Sequence, residues 1–300
     1  MAKPDHGWDH YRTLLAVLET GSLSAAARKL GITQPTAGRH IEALEEDAGQ
    51  QLFTRSQRGL EPTETARSLK GYAETMASAA DAIKRATSEE SGTVSGSVRV
   101  SASEVIAIEV LPPIIAPLLK THEKLKVELS VSDQIEDLLH RQADIALRMV
   151  EPAQDALVTK FIGRIPIACF AHRDFIAEYG MPESFDDLAK MRCIGFDHQL
   201  AYVRDVLKAF PSLAIPDFSF RSNSNLAQLA AIRAGCGIGF CQVPLGRSNP
   251  DLVEVLKGKI PFSLPVWIAM HEDLRHAPRC RATFDTLAEG MSAYIRRSAA

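Results

Sequence analysis

The chain has 300 residues, of which 46% are hydrophobic and 24% are charged, proportions typical of a globular protein with two or three domains. It contains no run of about 18 apolar residues, so no membrane span is expected, and its first residues lack the apolar segment of a signal peptide. The five cysteines form no CxxC pair, which predicts reduced thiols in a cytoplasmic protein.

Net charge alone argues weakly against nucleic-acid binding. The chain carries a formal charge of −3, and residues 1–90 hold 11 Lys/Arg against 13 Asp/Glu, whereas a nucleic-acid-binding domain is usually basic. The distribution is more informative than the sum, because several basic residues are concentrated in two segments, 22–44 and 51–62. These residues are Arg28, Lys29, Arg39, Arg55 and Arg58.

Residues 8–19 predict an amphipathic helix that covers the elements following it. Its apolar side is expected to be core rather than a ligand site. The residues assigned to that side are Trp8, Tyr11, Leu14, Leu15 and Leu18.

Residues 22–44 predict two short helices joined by a tight turn. Ser22 is placed to cap the first helix, and Gly31 can adopt the left-handed conformation that ends it. Thr33 then caps the second helix. At 3.6 residues per turn, the outer face of this second helix carries an amide, a hydroxyl and a guanidinium, groups that read base edges in the major groove.

Seven residues of this helix pair are therefore candidate DNA contacts: Ser24, Thr33, Gln34, Pro35, Thr36, Gly38 and Arg39. The opposite side, with Ala37, Ile41 and Leu44, should be buried. The alternative is a pair of surface helices packed on a core. Residues 22–44 alone do not distinguish this interpretation from a DNA-binding helix pair.

Residues 51–62 predict a small hairpin, or wing, after the second helix. Residues 51–55 form its first strand, Gly59 ends the turn, and residues 60–62 return. Arg55 and Arg58 could reach phosphates or the minor groove. The alternative is two solvated arginines on a loop.

Residues 63–88 predict a long helix capped by Thr63. Apolar residues spaced 3, 4, 3, 4 and 3 apart along it form a coiled-coil seam, which favours a homodimer. The seam residues are Ala66, Leu69, Ala73, Met76, Ala80 and Ile83. The alternative is packing of this face against the chain's own domain. Residues 89–97, which are polar and rich in Gly and Ser, predict a hinge.

From residue 98 onward strands and helices alternate, which predicts a mostly parallel sheet with crossover helices. Predicted strands cover 98–100, 126–131, 145–147, 167–171, 193–196, 217–220, 237–241 and 265–270. Predicted helices cover 105–119, 135–141, 173–179, 184–190, 202–210, 224–234 and 279–296. The chain is expected to cross between two α/β lobes near 162–166 and again near 263–266, which leaves a cleft for a small ligand.

Ligands in such sheets bind beyond the carboxyl ends of strands and at helix N-termini, where free N–H groups attract anions. The candidate effector-binding residues are Ser101, Ala102, Ser103, Ser132, Arg148, Ser222, Asn223 and Ser224. Each serine could instead be an N-cap without a ligand, and Arg148 could pair with Asp144. Glu104 is expected to satisfy the dipole of its own helix, so an anionic ligand such as a carboxylate is a preference only.

No catalytic constellation or metal-ligand spacing is found. The glycines at 234–240 end a helix and open a strand, the reverse of a dinucleotide fingerprint. We therefore expect neither an enzyme nor a bound metal or cofactor.

Residues 8–88 resemble the N-terminal domain of LysR-type transcriptional regulators, through the segments AAARKL, TQP, LFTR and PTETA in family order. The segments LPPIIAPLL, ADIALR, LAAIRAGCGIGF and VWIAMHEDLR extend the resemblance more loosely into the C-terminal part. Gly38 departs from the family pattern, which usually has a hydroxyl residue there.

The resemblance implies an overall α/β protein with four parts. A winged helix-turn-helix domain covers residues 1–62, a linker (dimerisation) helix 63–88 and a hinge 89–97. The two-lobed effector-binding domain, 98–300, is similar to periplasmic binding proteins, with lobe I at 98–162 and 266–300 and lobe II at 163–265.

The resemblance also implies a sequence-specific transcriptional regulator in the cytoplasm, associated with the nucleoid. Double-stranded DNA, a small-molecule effector and RNA polymerase are its implied partners, with assembly as a homodimer and then a homotetramer. The alternative is a small-molecule binding or transport protein with an accessory N-terminal domain. The effector, the target genes and the sign of regulation do not follow from the sequence.

Overall fold

The computed structural model describes residues 7–56, 59–87, 93–132, 143–152, 157–197, 218–260 and 262–298. The chain divides after Ser88 into two compact units, and each is described by itself. Several predictions lie outside the described residues: those for Arg58, for residues 89–92 of the hinge, and for the helices at 135–141 and 202–210.

The N-terminal unit consists of three helices, a two-stranded hairpin and a long helix. They are α1 (Trp8–Thr20), α2 (Leu23–Leu30), α3 (Gln34–Ala48), β1 (Phe53–Ser56), β2 (Gly59–Pro62) and α4 (Glu64–Thr87). The predicted caps are confirmed. The Ser22 hydroxyl accepts a hydrogen bond from the Ala25 N–H at 3.2 Å, and Gly31 ends α2 with φ of 70°.

The core of this unit lies between α1, α2, α3 and the start of α4. The prediction for α1 was partly wrong. Leu14 and Val17 are fully buried, whereas Trp8 and Leu15 are only half-buried and stand outside this core. Because α1 contacts α2, α3 and α4, the side facing them is centred on Leu14 and Val17, one helical row away from the Trp8–Leu15 row.

The C-terminal unit alternates strands and helices. Its strands are β3 (Gly96–Ala102), β4 (Leu125–Val131), β5 (Ile145–Arg148), β6 (Leu157–His172), β7 (Cys193–Gly195), β8 (Phe218–Arg221), β9 (Gly239–Gln242), β10 (Leu252–Val255) and β11 (Phe262–His271). Its helices are α5 (Leu111–Thr121), α6 (Arg173–Tyr179), α7 (Phe185–Leu188), α8 (Asn225–Arg233), α9 (Val243–Ser248) and α10 (Pro278–Arg296). A π-helical turn, Ile106–Val110, leads into α5, and a 3₁₀ turn, Glu272–Leu274, follows β11.

Seven of these strands form one sheet in the order β10-β6-β11-β5-β3-β4, with β9 also paired to β6, while β7 and β8 form a separate pair. Among the described strand pairs, β3 is parallel to β4 and β5, and β7 is parallel to β8, while the pairs β10–β6, β6–β11, β11–β5 and β6–β9 are antiparallel. The prediction of a mostly parallel sheet was therefore wrong. Alternation of strands and helices indicates an α/β fold, but it does not show that β6 and β11 run side by side in opposite directions.

The strands β6 and β11 carry the chain between the two lobes. Their pairing is regular except for one register shift, where Val266 pairs with Gly163 but Trp267 pairs with Phe161. This irregularity adjoins the two segments that the sequence suggests as crossings. A single hydrophobic cluster extends to both sides of them, from Ile106 and Val110 to Leu229 and Ile232.

Candidate functional site

The outer face of α3 is the first candidate site. Ala37, Ile41 and Leu44 are buried as predicted, so the helix must present its opposite side to solvent. On that side Gln34, Pro35 and Arg39 are exposed, whereas Thr36 and Gly38 are half-buried. Thr33, which caps α3, and Ser24 on α2 are also exposed. The structure thus leaves an amide and a guanidinium accessible on one short helix.

Two of the predicted contact residues hold the N-terminus of α3 in place. The Thr33 hydroxyl accepts a hydrogen bond from the Thr36 N–H at 3.3 Å, and the two hydroxyl oxygens lie 2.8 Å apart. This cap satisfies one of the N–H groups left open at a helix start. Thr33 and Thr36 therefore have a structural role whether or not they touch a ligand.

Gly38 lies on the exposed side of α3 with open space around it. A Cβ built at this position meets nothing within 4 Å. The glycine is thus not required by packing within the chain.

The wing folds back on the turn between α1 and α2. Gly59 has φ of +122°, and a Cβ there would lie 2.8 Å from the Gly21 carbonyl oxygen, while the Leu60 N–H donates to the same oxygen at 2.9 Å. Glycine is required at this position by both the backbone conformation and the close approach. Arg55, on β1, is exposed.

Glu45 attaches the wing to α3, a role that the sequence did not suggest. Its Oε1 accepts hydrogen bonds from the Leu52 N–H at 2.7 Å and the Phe53 N–H at 3.3 Å. A glutamate near a helix C-terminus is unfavourably placed in the helix dipole. That misfit is the signal that could have indicated a special role.

His40 connects α3 to α1. Its Nδ1 lies 2.8 Å from the Thr13 hydroxyl, and its ring centroid is 4.5 Å from that of His10. Burial lowers the pKa of His40, and the charges of His10 and Arg39 lower it further, while Asp9 acts in the opposite direction. Folding therefore favours the neutral form of the His40 imidazole.

The predicted dimerisation seam on α4 is divided into two parts. Ala66 and Ala73 are fully buried within the chain, and Leu69 packs against the core of the N-terminal unit. This half of the seam follows the alternative, packing against the chain's own domain, because α1 lies along α4. Beyond it, Met76 is 37% exposed and Ile83 is 63% exposed, with Ala80 half-buried between them.

Tyr72, which is not one of the predicted seam residues, is more exposed than Met76 and Ile83. Tyr72, four positions before Met76, is 74% exposed. Tyr72, Met76 and Ile83 share one face at helical spacing. These three residues, called here the exposed α4 strip, are large apolar side chains with high solvent exposure among those described on this helix.

In the C-terminal unit, the structure joins two of the predicted effector-binding residues. Both Ser101 and Arg148 are buried. Arg148 donates from Nη2 to the Ser101 hydroxyl at 2.8 Å and from Nη1 to the Leu147 carbonyl at 2.9 Å. Asp144, the alternative partner, accepts the Arg99 N–H at 2.8 Å.

The ends of β3 and β4 bring further predicted residues together. The Ser132 N–H donates to the Ala102 carbonyl at 3.0 Å, and the Ser103 carbonyl accepts the Ala107 N–H at 2.8 Å. Ser103 and Ser132 are both half-buried. The carboxyl ends of these parallel strands thus form one edge, as the fold class requires.

The third predicted segment, Ser222 to Ser224, directly precedes α8, and Ser224 is the N-cap of that helix. The Ser224 hydroxyl caps the helix by accepting the Ala227 N–H at 3.1 Å, and the Ser222 hydroxyl accepts the Ser224 N–H at 3.1 Å. Asn223 is exposed.

Glu104 links the end of β3 to this helix. Its Oε1 accepts the Ser224 hydroxyl at 2.7 Å and its Oε2 accepts the Leu226 N–H at 3.3 Å. The expectation that Glu104 serves its own helix was wrong in one respect: the carboxylate caps α8 instead.

Other chemistries find little support in the described part of the chain. There, no group of three or more His, Cys, Asp or Glu side chains is placed to hold a metal ion, and none of the helices is both long and apolar enough to cross a bilayer. None of the five cysteines forms a disulfide. Burial raises the pKa of Cys169 to about 12 and that of Cys193 to about 11, so these thiols are poor nucleophiles.

Comparison with known proteins gives two domain matches. The model for bacterial regulatory helix-turn-helix proteins of the lysR family matches residues 8–67, and that for the LysR substrate binding domain matches residues 91–292. The chain is also similar to the HTH-type transcriptional activator AaeR of Escherichia coli, with 24% identity over 253 residues, which cover 83% of this chain and 80% of AaeR.

Solved structures show the same fold. The full-length virulence activator AphB of Vibrio cholerae superposes with a TM-score of 0.61 at 18% identity, covering 94% of this chain and 99% of AphB. Full-length CbnR, solved in complex with its target DNA, gives a TM-score of 0.63 at 20% identity, covering 97% of this chain and 99% of CbnR.

Proposed function

The chain belongs to the LysR family of DNA-binding transcriptional regulators, and from this premise we propose that α3 reads double-stranded DNA in the major groove as part of a homodimer. The observation that carries the proposal is the outward face of α3, on which Gln34 and Arg39 are exposed while Ala37 and Ile41 are buried. Short helices that present such groups reach base edges. The alternative of a transport protein is set aside, because one of the family's two domain models is the DNA-binding domain itself.

The remaining contacts are assigned by position. Ser24, Thr33, Pro35, Thr36 and Gly38 surround Arg39 on the helix pair. Arg55 and Arg58 on the wing would hold phosphates beside it, which sets the register of α3 without reading sequence. The few basic residues and the overall charge of −3 predict modest non-specific affinity.

The test compares Arg39→Ala with Arg281→Ala. Arg281 is an exposed arginine on α10 that pairs with Asp285 at 3.5 Å, so it controls for loss of a positive charge. Fluorescence anisotropy would measure binding to DNA from upstream of the protein's own gene and to random DNA, at one salt concentration.

We expect Arg39→Ala to lose roughly five- to 150-fold in affinity for the specific DNA, because one bidentate base contact is worth about 1–3 kcal/mol. Affinity for random DNA should fall much less, and Arg281→Ala should resemble the wild type. A variant that keeps the wild-type ratio between the two DNAs would contradict the assignment of Arg39 as a reading residue.

We also propose a small-molecule effector that binds where β3, β4 and β5 end. Ser101, Ala102, Ser103, Ser132 and Arg148 would line this end of the cleft, with Ser222, Asn223 and Ser224 across from them. The Arg148 guanidinium, oriented by the Ser101 hydroxyl, suits a carboxylate. A thermal-shift screen of metabolites against the full chain, repeated with Arg148→Lys, would identify the effector class.

The proposal also covers the oligomeric state of the protein and its location in the cell. A dimer formed through α4 would place two α3 helices on one side of a two-fold symmetric DNA site. Effector domains would pair such dimers into a homotetramer, and RNA polymerase is the proposed further partner. DNA binding would place the protein at the nucleoid in the cytoplasm.

A further inference from the structure

The start of α8 is already occupied by a carboxylate of the chain itself. Glu104 accepts the Ser224 hydroxyl and the Leu226 N–H, while the Ser224 hydroxyl takes the Ala227 N–H. Two of the N–H groups that a helix start leaves open are therefore satisfied by protein groups. Glu104 lies two residues after the end of β3, whereas α8 packs on β6, β7, β8 and β9, so this contact joins one lobe to the other.

A second carboxylate occupies the other end of α8. Both guanidinium nitrogens Nη1 and Nη2 of Arg233 donate to the oxygens of Glu109, each at 2.8 Å. These hydrogen bonds lower the pKa of Glu109, so this carboxylate is held in its charged form. The geometry is bidentate, which is the strongest arrangement for this pair.

The π-helical turn places both glutamates on the side facing α8. In a regular α-helix, residues five apart diverge by roughly 140° around the axis. Here the Leu111 N–H donates to the Ile106 carbonyl, a bond between residues five apart that aligns them. Glu104 and Glu109, also five apart and spanning this turn, can therefore both reach α8.

We propose that Glu104 is a specificity-determining residue of the effector cleft, because it fills the anion-binding end of α8 and excludes effector carboxylates from it. The inference rests on the proposed effector function and refines it. A tethered carboxylate competes at an effective concentration of about millimolar or higher, and Glu109 neutralises the only cationic side chain of α8. A carboxylate effector would therefore bind with its carboxylate at Arg148. The part of the effector that lies nearest α8 would be neutral or cationic.

The experiment uses full-length Glu104→Ala and sodium acetate as the probe carboxylate. Hydrogen–deuterium exchange would follow the amide of Leu226, with sodium chloride at equal ionic strength as the reference. Without acetate, we expect exchange at Leu226 to rise roughly ten-fold or more, the factor for losing one charge-assisted hydrogen bond. Acetate should restore protection in a saturable manner, and wild-type exchange should not respond to it.

Two variants serve as controls. Glu128→Ala removes an exposed glutamate of β4 that pairs with Arg99 and should behave as the wild type. Glu104→Gln keeps the side-chain volume and one acceptor, so the Leu226 amide should exchange at an intermediate rate and should not respond to acetate. If Glu104→Ala does not fold, this variant alone tests whether the Glu104 carboxylate protects Leu226.

Wild-type exchange at Leu226 in both Glu104 variants would overturn the inference, as would a response of Glu104→Ala to acetate no larger than to chloride. The thermal-shift screen of metabolites against the full chain tests the proposed effector function separately, because the acetate result at Leu226 does not depend on a bound effector.

Discussion

The Glu45 carboxylate accepts a hydrogen bond from the Leu52 N–H at 2.7 Å. The C-terminal part of α3 thus holds Leu52, the buried residue that directly precedes the first strand of the wing. The same oxygen also accepts the Phe53 N–H. One side chain thereby fixes the position of the wing relative to the helix that would read DNA.

We predict that Glu45→Ala destabilises the N-terminal unit by about 1–3 kcal/mol, the usual range for hydrogen bonds to a charged group whose loss leaves N–H donors unpaired. Urea denaturation would measure the change. Glu46→Ala removes an exposed neighbouring charge and should change stability little. If the two variants proved equally stable, Glu45 would not be holding the wing.

Gly38→Ala is expected to raise the stability of the N-terminal unit by up to about 1 kcal/mol, because glycine in a helix interior is that much less favourable than alanine. The new methyl group meets no atom within 4 Å, so no packing cost offsets the gain. Thermal denaturation would detect it as a higher Tm. Gly71→Ala, at an exposed position of α4 with similarly open space, is a matched comparison and should gain by a similar amount.

Local patterns in the sequence were sufficient for the helix-turn-helix and for most elements of the C-terminal unit. Ser22, Gly31 and Thr33 act within a few residues of themselves, so their caps could be predicted. The roles of Glu45 and Glu104 could not, because their partners lie seven and about 120 residues away. The direction of β6 relative to β11 likewise depends on how distant strands pair, which periodicity does not encode.

Acidification should weaken the attachment of α3 to α1 through His40. The folded state lowers the pKa of His40 from 6.5, so it favours the neutral imidazole. The stabilising effect is complete above the unfolded-state value and is lost as the pH falls through it towards the lower folded value. His10, Asp9 and Arg39 are the charged groups that act on it.

We therefore expect the urea midpoint of the wild type to fall between about pH 8 and about pH 5 by more than that of His40→Gln, which cannot titrate there. The difference between the two proteins isolates His40 from other titrating groups. An identical pH dependence in both would show that His40 is not the responsible group.

The two halves of the α4 seam should respond differently to a glutamate. At roughly 1.5 Å per residue, the 13 residues of α1 reach along only about half of the 24-residue α4, which explains why Ala73 is buried and Ile83 is exposed. Ala73→Glu would bury an unpaired charge and should destabilise the N-terminal unit. Ile83→Glu changes only the exposed α4 strip and should leave the stability of the monomeric N-terminal unit unchanged, although a dimer formed through this strip would lose the stability that association adds.

If that strip forms the proposed dimer, Ile83→Glu should weaken self-association by roughly a hundred-fold or more, because each of the two copies loses about 1.5–3 kcal/mol of apolar burial. Sedimentation velocity over a range of concentrations would show an assembly of half the wild-type mass. Met181→Glu, at an exposed apolar residue outside α4, is the control and should assemble normally. An Ile83→Glu protein that sediments like the wild type at all concentrations would remove α4 from the interface, and with it the argument that spaces two α3 helices along the DNA.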